Sequence, residues 1–455
     1  MKKRKLLALL LGMVMVLSLA FLTACGNGDD DPADDPDVEE NGDNGEDDNE
    51  PEPDGEDNGD ESDGDTGDAQ FGGENFMLWI DNEDYAIALV AALSERFPNS
   101  SFDYEIVGGT DTVEDLALAG PGGHGADIIL FPHDQLAGAA NQGLLLPLGP
   151  DIGAAMQGRV PEFAIGTVQH DGHYLGVPLR MESVALFYNR TLLEENGLEV
   201  ATTWEEIIDQ AGEYNDVANS DFLIRWEPGN AFFSHFILTA HGFELFGPDH
   251  NDPDLVNLNS AEVIAGLEFL EGLREILPVP ADDLNWDTVH GAFVGGEVPY
   301  VITGPWSIPY IMSDSDGFEW GVKTIPTING VQPTTFSGYH IAAGSSFTDY
   351  SDLTRAVLEF MMSDEGLQMV YDEIGVMPAL IDESIVNGLA DDLFLLGVAA
   401  QMEHTHPMPG IPEMSQYWDS ADAMLASVWE GLATPEEAAA NAEETFDAGR
   451  ALADQ

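Results

Sequence analysis

Basic residues are almost missing from this chain, which has 13 Lys and Arg against 85 Asp and Glu over 455 positions. Four of the basic residues crowd the opening MKKRK, so from Phe71 onward 63 acidic residues face nine basic ones, a net charge of −54 with Lys323 as the single lysine. Nucleic acid is excluded as a partner, because a polyanion is repelled and finds no basic stripe whose counterions it can release. An anionic lipid surface is disfavoured for the same reason. Cysteine is present once, at Cys25, so no intramolecular disulfide can form. The body lacks a D-x-D-x-D-G loop with a closing Glu, which argues against a calcium array as the reason for the acid. Repulsion among so many carboxylates loosens a compact state in dilute buffer, but at molar salt the screening length is only about 3 Å and most of that cost disappears. The composition is that of a surface adapted to brine.

What is present divides the chain into three parts. Residues 1–25 combine the basic opening, an apolar run from Leu6 to Ala20, and Leu22-Thr23-Ala24-Cys25, which resembles a lipobox. They read as an export signal with Cys25 as the lipid acceptor. A transmembrane anchor is the alternative, since the run approaches the ~20 residues that span a bilayer. Residues 26–70 hold 22 acidic residues, no basic ones and almost nothing apolar. Such a segment buries too little surface to offset its ordering entropy, and it reads as a disordered tether extended by its own charge. The remainder, 71–455, is long enough for two domains with full cores.

In the body, FMLWID (Phe76 to Asp81) predicts a strand, Tyr85 to Phe97 a helix stopped by Pro98, Phe102 to Val107 a second strand, and ADIILF (Ala126 to Phe131) a third. This alternation implies an α/β fold with a largely parallel sheet, whose ligands lie beyond the carboxyl ends of the strands. Further on, His170 to Arg190 predicts a turn and two strands with Glu182 in the second. Thr203 and Glu206 predict a capping box. Helices are expected over 231–241 and 261–277, strands over Tyr300 to Trp306 and Gly321 to Pro326, and paired helices from Asp352 to Tyr371. PMPGIPEMSQYW (Pro407 to Trp418) joins a proline-fixed extended segment to a helix whose first turn carries Tyr417 and Trp418. His404 and His406, like His170 and His173, lack a surrounding ligand cluster and read as loop residues.

Several of these segments, in order, resemble the maltose/maltodextrin-binding proteins, the solute receptors of ATP-binding cassette sugar importers. They are MLWIDNEDY, ADIILFPHDQ, VPLRMESVALFYNRTLL, TTWEEI, WEP, ITGPW, MSDEGL and PMPGIPEMSQYW. The resemblance implies a two-lobe periplasmic-binding-protein-like fold with three hinge crossings, near 178–180, 338–342 and 371–378, and a sugar enclosed between the lobes. Lobe 1 is expected over about 74–178 and 339–372, lobe 2 over about 180–336 and 377–455. No catalysis, cofactor or metal is implied; the expected partners are a malto-oligosaccharide, the permease subunits of an importer, and the membrane through lipid on Cys25, with the receptor itself a monomer.

The chemistry of a sugar suits the matched residues, because aromatic rings cover its CH-rich face and carboxylates or amides hold its hydroxyls. The resemblance makes Phe131, Phe232, Trp306 and Trp418 stacking candidates, and Asp81, Glu83, Asp134, Gln135, Glu182 and Glu227 hydroxyl binders. This chain departs from the family's best-known member by placing Gln135 where an arginine stands, Phe131 for a tryptophan, and Asp419 for a second aromatic. WEPGNAFF also runs a few residues longer. Two alternatives remain at this level: a glycoside hydrolase, which needs two carboxylates facing across a bound sugar, and a receptor of the same fold for another sugar or solute.

Overall fold

The computed structural model describes residues 71–314 and 317–453; Cys25, the export signal and the tether lie outside the described residues. Strand β1 (Asn75–Ile80) ends in three buried residues and hands the chain to Asn82, whose Oδ1 accepts from the Tyr85 amide 2.9 Å away and caps the helix Glu83–Arg96. Glu83 and Asp84 occupy its first turn, where the helix dipole favours acid. β2 (Ser101–Ile106) and β3 (Ile128–Pro132) lie on either side of β1 and parallel to it. After a small hairpin, β4 (Gln169–His170) with β5 (His173–Tyr174), the chain runs through β6 (Val177–Glu182) into a second sheet. That sheet has the order β10-β7-β9-β8, from β7 (Ala185–Asn189), β8 (Ile224–Arg225), β9 (Tyr300–Thr303) and β10 (Trp320–Lys323). β11 (Thr335–Gly344) returns to the first sheet, whose order is β12-β6-β11-β3-β1-β2; β12 is Met377–Pro378, and β13 (Thr405–Pro407) pairs with the start of β11.

The expected largely parallel sheet is corrected here. Among the described strands, parallel pairing is confined to β1 with β2 and β3, β8 with β9, and β13 with β11, while β11 runs antiparallel to both β3 and β6. The reason is directional: β6 carries the chain out of the first lobe and β11 carries it back, so lying side by side they must oppose each other.

Two separate hydrophobic cores make the two lobes. One takes residues from Phe76 to Leu179 and from Tyr339 to Ala379; the other runs from Val184 to Phe336, takes Leu367, and resumes from Met377 to Phe446. The division falls in β6, in β11, and at a π-helical turn (Val370–Ile374) closed by Gly375, whose φ of 70° is the left-handed conformation that suits glycine. These are the segments in which the three crossings were expected. In the second lobe the Thr203 capping box forms in both halves and sets the helix Trp204–Tyr214. It drives Trp204 into the core, stacked on Phe236 at 5.6 Å with Trp226 edge-on.

Candidate ligand-binding site

Three elements converge where the lobes meet. Asp81, just past β1, receives both arms of the Arg180 guanidinium: Nη2 donates to Oδ2 at 2.5 Å and Nη1 to Oδ1 at 3.3 Å. Arg180 faces His340 across the β6–β11 pair, next to an irregularity in register between His340 and Ile341, the kind of kink that re-aims side chains. A second Nη2 hydrogen reaches His340 Nδ1 at 2.8 Å. That nitrogen therefore accepts, and the opposite ring nitrogen, Nε2, lies 3.3 Å from Glu182 Oε1, an ion-pair distance. Burial alone would raise both carboxyls. The Arg180 guanidinium and then His340 outweigh it at Asp81, and His340 and then Arg180 outweigh it at Glu182, so both stay below their usual values.

Above this root stand the rings. β9 ends in Gly304, and the short turn Pro305–Ser307 lays Trp306 over it so closely that a Cβ at Gly304 would sit 2.1 Å from the ring. Phe232, in the first turn of the helix Ala231–Ala240, lies 6.1 Å from Trp306 and 6.4 Å from Phe336. Trp418, in the helix Met414–Trp429, packs edge-on against Phe336 at 5.4 Å and donates its indole N–H to Asp134 Oδ2 at 2.9 Å. Trp418 belongs to the second lobe and Asp134 to the first, so this bond spans the cleft. Asp134 Oδ1 is buried with no partner at all, and such an acceptor costs about 1–3 kcal/mol until something donates to it.

The outer wall of the second lobe is electrostatically different. Glu227 is half-buried without a cation; burial and then the neighbouring Asp422 push its carboxyl up to about 7. Asp422 accepts from the Ala231 amide, yet burial first and Asp419 after it leave it raised to about 6. Behind Phe336 lies a chain of neutral rings. The Tyr417 hydroxyl reaches His235 Nδ1 at 3.4 Å, His235 Nε2 meets His406 Nε2 at 2.8 Å, and His406 Nδ1 faces the Pro407 carbonyl at 3.1 Å. One tautomer set satisfies every contact, with Tyr417 O–H, His235 Nε2–H and His406 Nδ1–H as donors. Burial holds His235 well below its ordinary value and His406 down to about 4, their histidine neighbours adding to the effect.

The predicted residues are thus brought together unequally. Asp81 and Glu182 meet Arg180 and His340 on the strands that join the lobes, Trp418 reaches Asp134 across the cleft, and Phe232 links Trp306 to the Phe336 ring that packs on Trp418, while Glu227 stands beside Asp422 on the second lobe's wall. Glu83 is exposed on its helix, Gln135 donates to the Thr110 carbonyl at 3.1 Å, and Phe131 is fully buried in the first core, where it offers no face in this conformation. Tyr417 is core as well, with its ring 5.2 Å from that of Trp418. Among the described residues no group of three or more His, Cys, Asp or Glu is arranged to hold a metal ion, and no helix is long and apolar enough to cross a membrane.

Residues 79–368 match the model of the bacterial extracellular solute-binding proteins. The chain belongs to that family. This solute-binding protein is 25% identical over 370 residues to the maltotriose-binding protein of Pyrococcus abyssi (80% of this chain, 79% of the relative). It is 26% identical over 346 residues to the galactooligosaccharide-binding protein of Bacillus subtilis (73% and 79%), and 25% identical over 329 residues to the maltooligosaccharide ABC transporter solute-binding lipoprotein of Streptococcus pneumoniae (70% and 75%). A solved cyclo/maltodextrin-binding protein complexed with maltotetraose superposes with a TM-score of 0.68 at 26% identity, covering 84% of this chain and 98% of its own. These relatives are receptors, and the solute-binding protein described here is not an enzyme; the hydrolase alternative falls. Sequence reasoning missed Arg180, His340, Phe336 and Asp422. Arg180 carried a signal, being one of nine basic residues in the body and lying two positions before Glu182.

Proposed function

We propose that this protein is a receptor for malto-oligosaccharides, binding them between its lobes and delivering them to the permease subunits of a membrane importer. The observation that carries the reading is the grouping around Trp418: aromatic rings from three elements of one lobe, facing an Asp134 oxygen of the other that is buried and lacks a donor. Rings suit the apolar face of a glucosyl unit, and a sugar hydroxyl is the donor that Asp134 needs. The binding residues on this reading are Asp81, Asp134, Glu182, Glu227, Phe232, Trp306 and Trp418, with Glu83 and Gln135 at the margin. The galactooligosaccharide-binding relative makes galacto-oligosaccharides the second reading. Tryptophan fluorescence titrated in molar salt with maltose, maltotriose, cyclodextrin and a galacto-oligosaccharide tests it. Maltotriose binding is expected, and a response to the galacto-oligosaccharide alone overturns the choice of sugar.

The reading extends to how the receptor is held and where it works. Cys25 carries the lipid, residues 26–70 tether the body to the outer face of the membrane, and the lobes comprise about 74–178 with 339–372 and about 180–336 with 377–455. The acceptor role of Cys25 fails if Cys25→Ser is still lipid-labelled. The −54 charge of the body makes folding depend on screening, so melting temperature rises from dilute buffer to ~1 M salt. A level or falling curve would remove the brine interpretation.

A further inference from the structure

The carboxylates at the cleft root are not free acceptors, because each is held by a base that the resemblance does not supply. Asp81, Arg180, His340 and Glu182 form one continuous relay from the end of β1 through β6 and β11, the strands on which the chain passes between lobes. The order of bonds leaves little choice. Arg180 can only donate, so His340 Nδ1 must accept, and the ring hydrogen is forced onto Nε2, the nitrogen 3.3 Å from Glu182 Oε1. Asp81 gives Arg180 its counter-charge and fixes the fork from the other side. Two glycines make room: a Cβ at Gly109 would lie 2.8 Å from His340 Cε1, and one at Gly338 within 3.3 Å of Glu182 Oε1.

The relay is nearly but not wholly sealed. Side-chain exposures of 14% for Asp81, 8% for Arg180, 10% for His340 and 12% for Glu182 leave a narrow face in contact with solvent. Among the described residues no protein donor hydrogen-bonds the Glu182 carboxylate, and neither of its oxygens is among the buried atoms left unpaired, so the carboxylate borders that open face. A carboxylate that has an imidazole nitrogen 3.3 Å from one oxygen and still borders the cleft is a directed acceptor. Its rotamer is set before any ligand arrives, which spares the ordering cost of binding.

We propose that His340, with its tautomer fixed by Arg180, is a positioning residue that holds the Glu182 carboxylate toward a ligand hydroxyl. The inference rests on the proposed sugar-binding function and adds residues to it. It makes the root of the cleft a relay specific to chains carrying both Arg180 and His340, in which the acid reads the ligand and the bases hold the acid.

A double-mutant cycle tests it, run with whichever oligosaccharide of the panel the wild type binds most tightly. His340→Leu should weaken binding about tenfold or more, whereas His340→Gln, whose amide N–H still reaches Glu182, should stay within about threefold. In a Glu182→Gln background, His340→Leu should add less than about twofold, because its effect acts through the acid already removed. If His340→Leu does not fold, His340→Asn replaces it, its shorter amide falling short of Glu182. Wild-type-like affinity in His340→Leu or His340→Asn, or the same loss on both backgrounds, overturns the relay while leaving the receptor function standing. A wild type that binds no sugar of the panel overturns both.

Discussion

The root of the cleft and the outer wall of the second lobe both bury acidic groups, the root more deeply, and treat them oppositely. At the root, Arg180 and His340 stand against Asp81 and Glu182, and both acids are held below their ordinary values. At the wall, Glu227 and Asp422 have only each other and a backbone amide, and they rise to about 7 and about 6. The histidines behind Phe336 are the mirror case, being bases with no acid beside them and therefore depressed. Burial always penalises the charged form; what differs is whether a partner offsets it. With nine basic residues in the body, partners are scarce. Arg159, Arg355 and Arg450 make ion pairs at the exposed surface, and Arg180–Asp81 is, among the described residues, the Arg–carboxylate pair buried on both sides.

The largest effect is expected from breaking the paired region. Arg180→Met leaves Asp81 buried with only His340 beside it, at a cost of about 3–5 kcal/mol in urea unfolding. Adding Asp81→Asn should recover part of it by removing the charge. A loss in Arg180→Met below about 1 kcal/mol would mean that the pair is effectively solvated and the contrast with the wall is false. Next comes the histidine chain. His406 titrates at about 4 folded and ~6.5 unfolded, so the unfolded chain takes up the proton first as pH falls. The stability it contributes is whole above pH ~6.5 and is lost toward pH ~4, on the order of 3 kcal/mol. In His406→Gln that pH-dependent part should vanish, and unfolding curves that run parallel from pH 7 to 4 would contradict it.

Glu227→Gln should act with the opposite sign and a smaller size. The folded carboxyl titrates at about 7, above its unfolded ~4.3, so the native state binds the proton first and the wild type gains stability as pH falls between these values. Glu227→Gln is therefore the more stable form at pH 8, by about 1–2 kcal/mol after allowing for its partial exposure, and the difference closes by pH ~4.5. A gap independent of pH would place the effect in packing rather than charge. Smallest is Trp418→Phe, which keeps a ring but removes the donor to Asp134 Oδ2, for about 1 kcal/mol. Saturating ligand should narrow that loss if a sugar hydroxyl takes over at Asp134; an unchanged loss would show that the ligand does not reach it.

Much of the fold was legible because it rests on local chemistry. Asn82 and Thr203 cap their helices through bonds to the next turn, apolar runs such as ADIILF can only be buried strand, and Gly304-Pro305 forces the turn that lifts Trp306. Strand direction was not legible, since nothing within β11 states that it returns beside β6 antiparallel. At the site, the resemblance offered Phe131 as a stacking ring, and an all-buried strand holds it in the core.

The sequence by itself determined the elements, the two apolar cores they supply, the acidity of the surface and the pool of rings and carboxylates from which a site had to be drawn. Those follow from composition and from neighbours a few positions apart along the chain. Only the tertiary structure decided which acids have partners. Asp81 is 99 residues from Arg180, and Arg180 is 160 from His340, and a charge shift is set by atoms within a few ångströms whatever their separation in the chain.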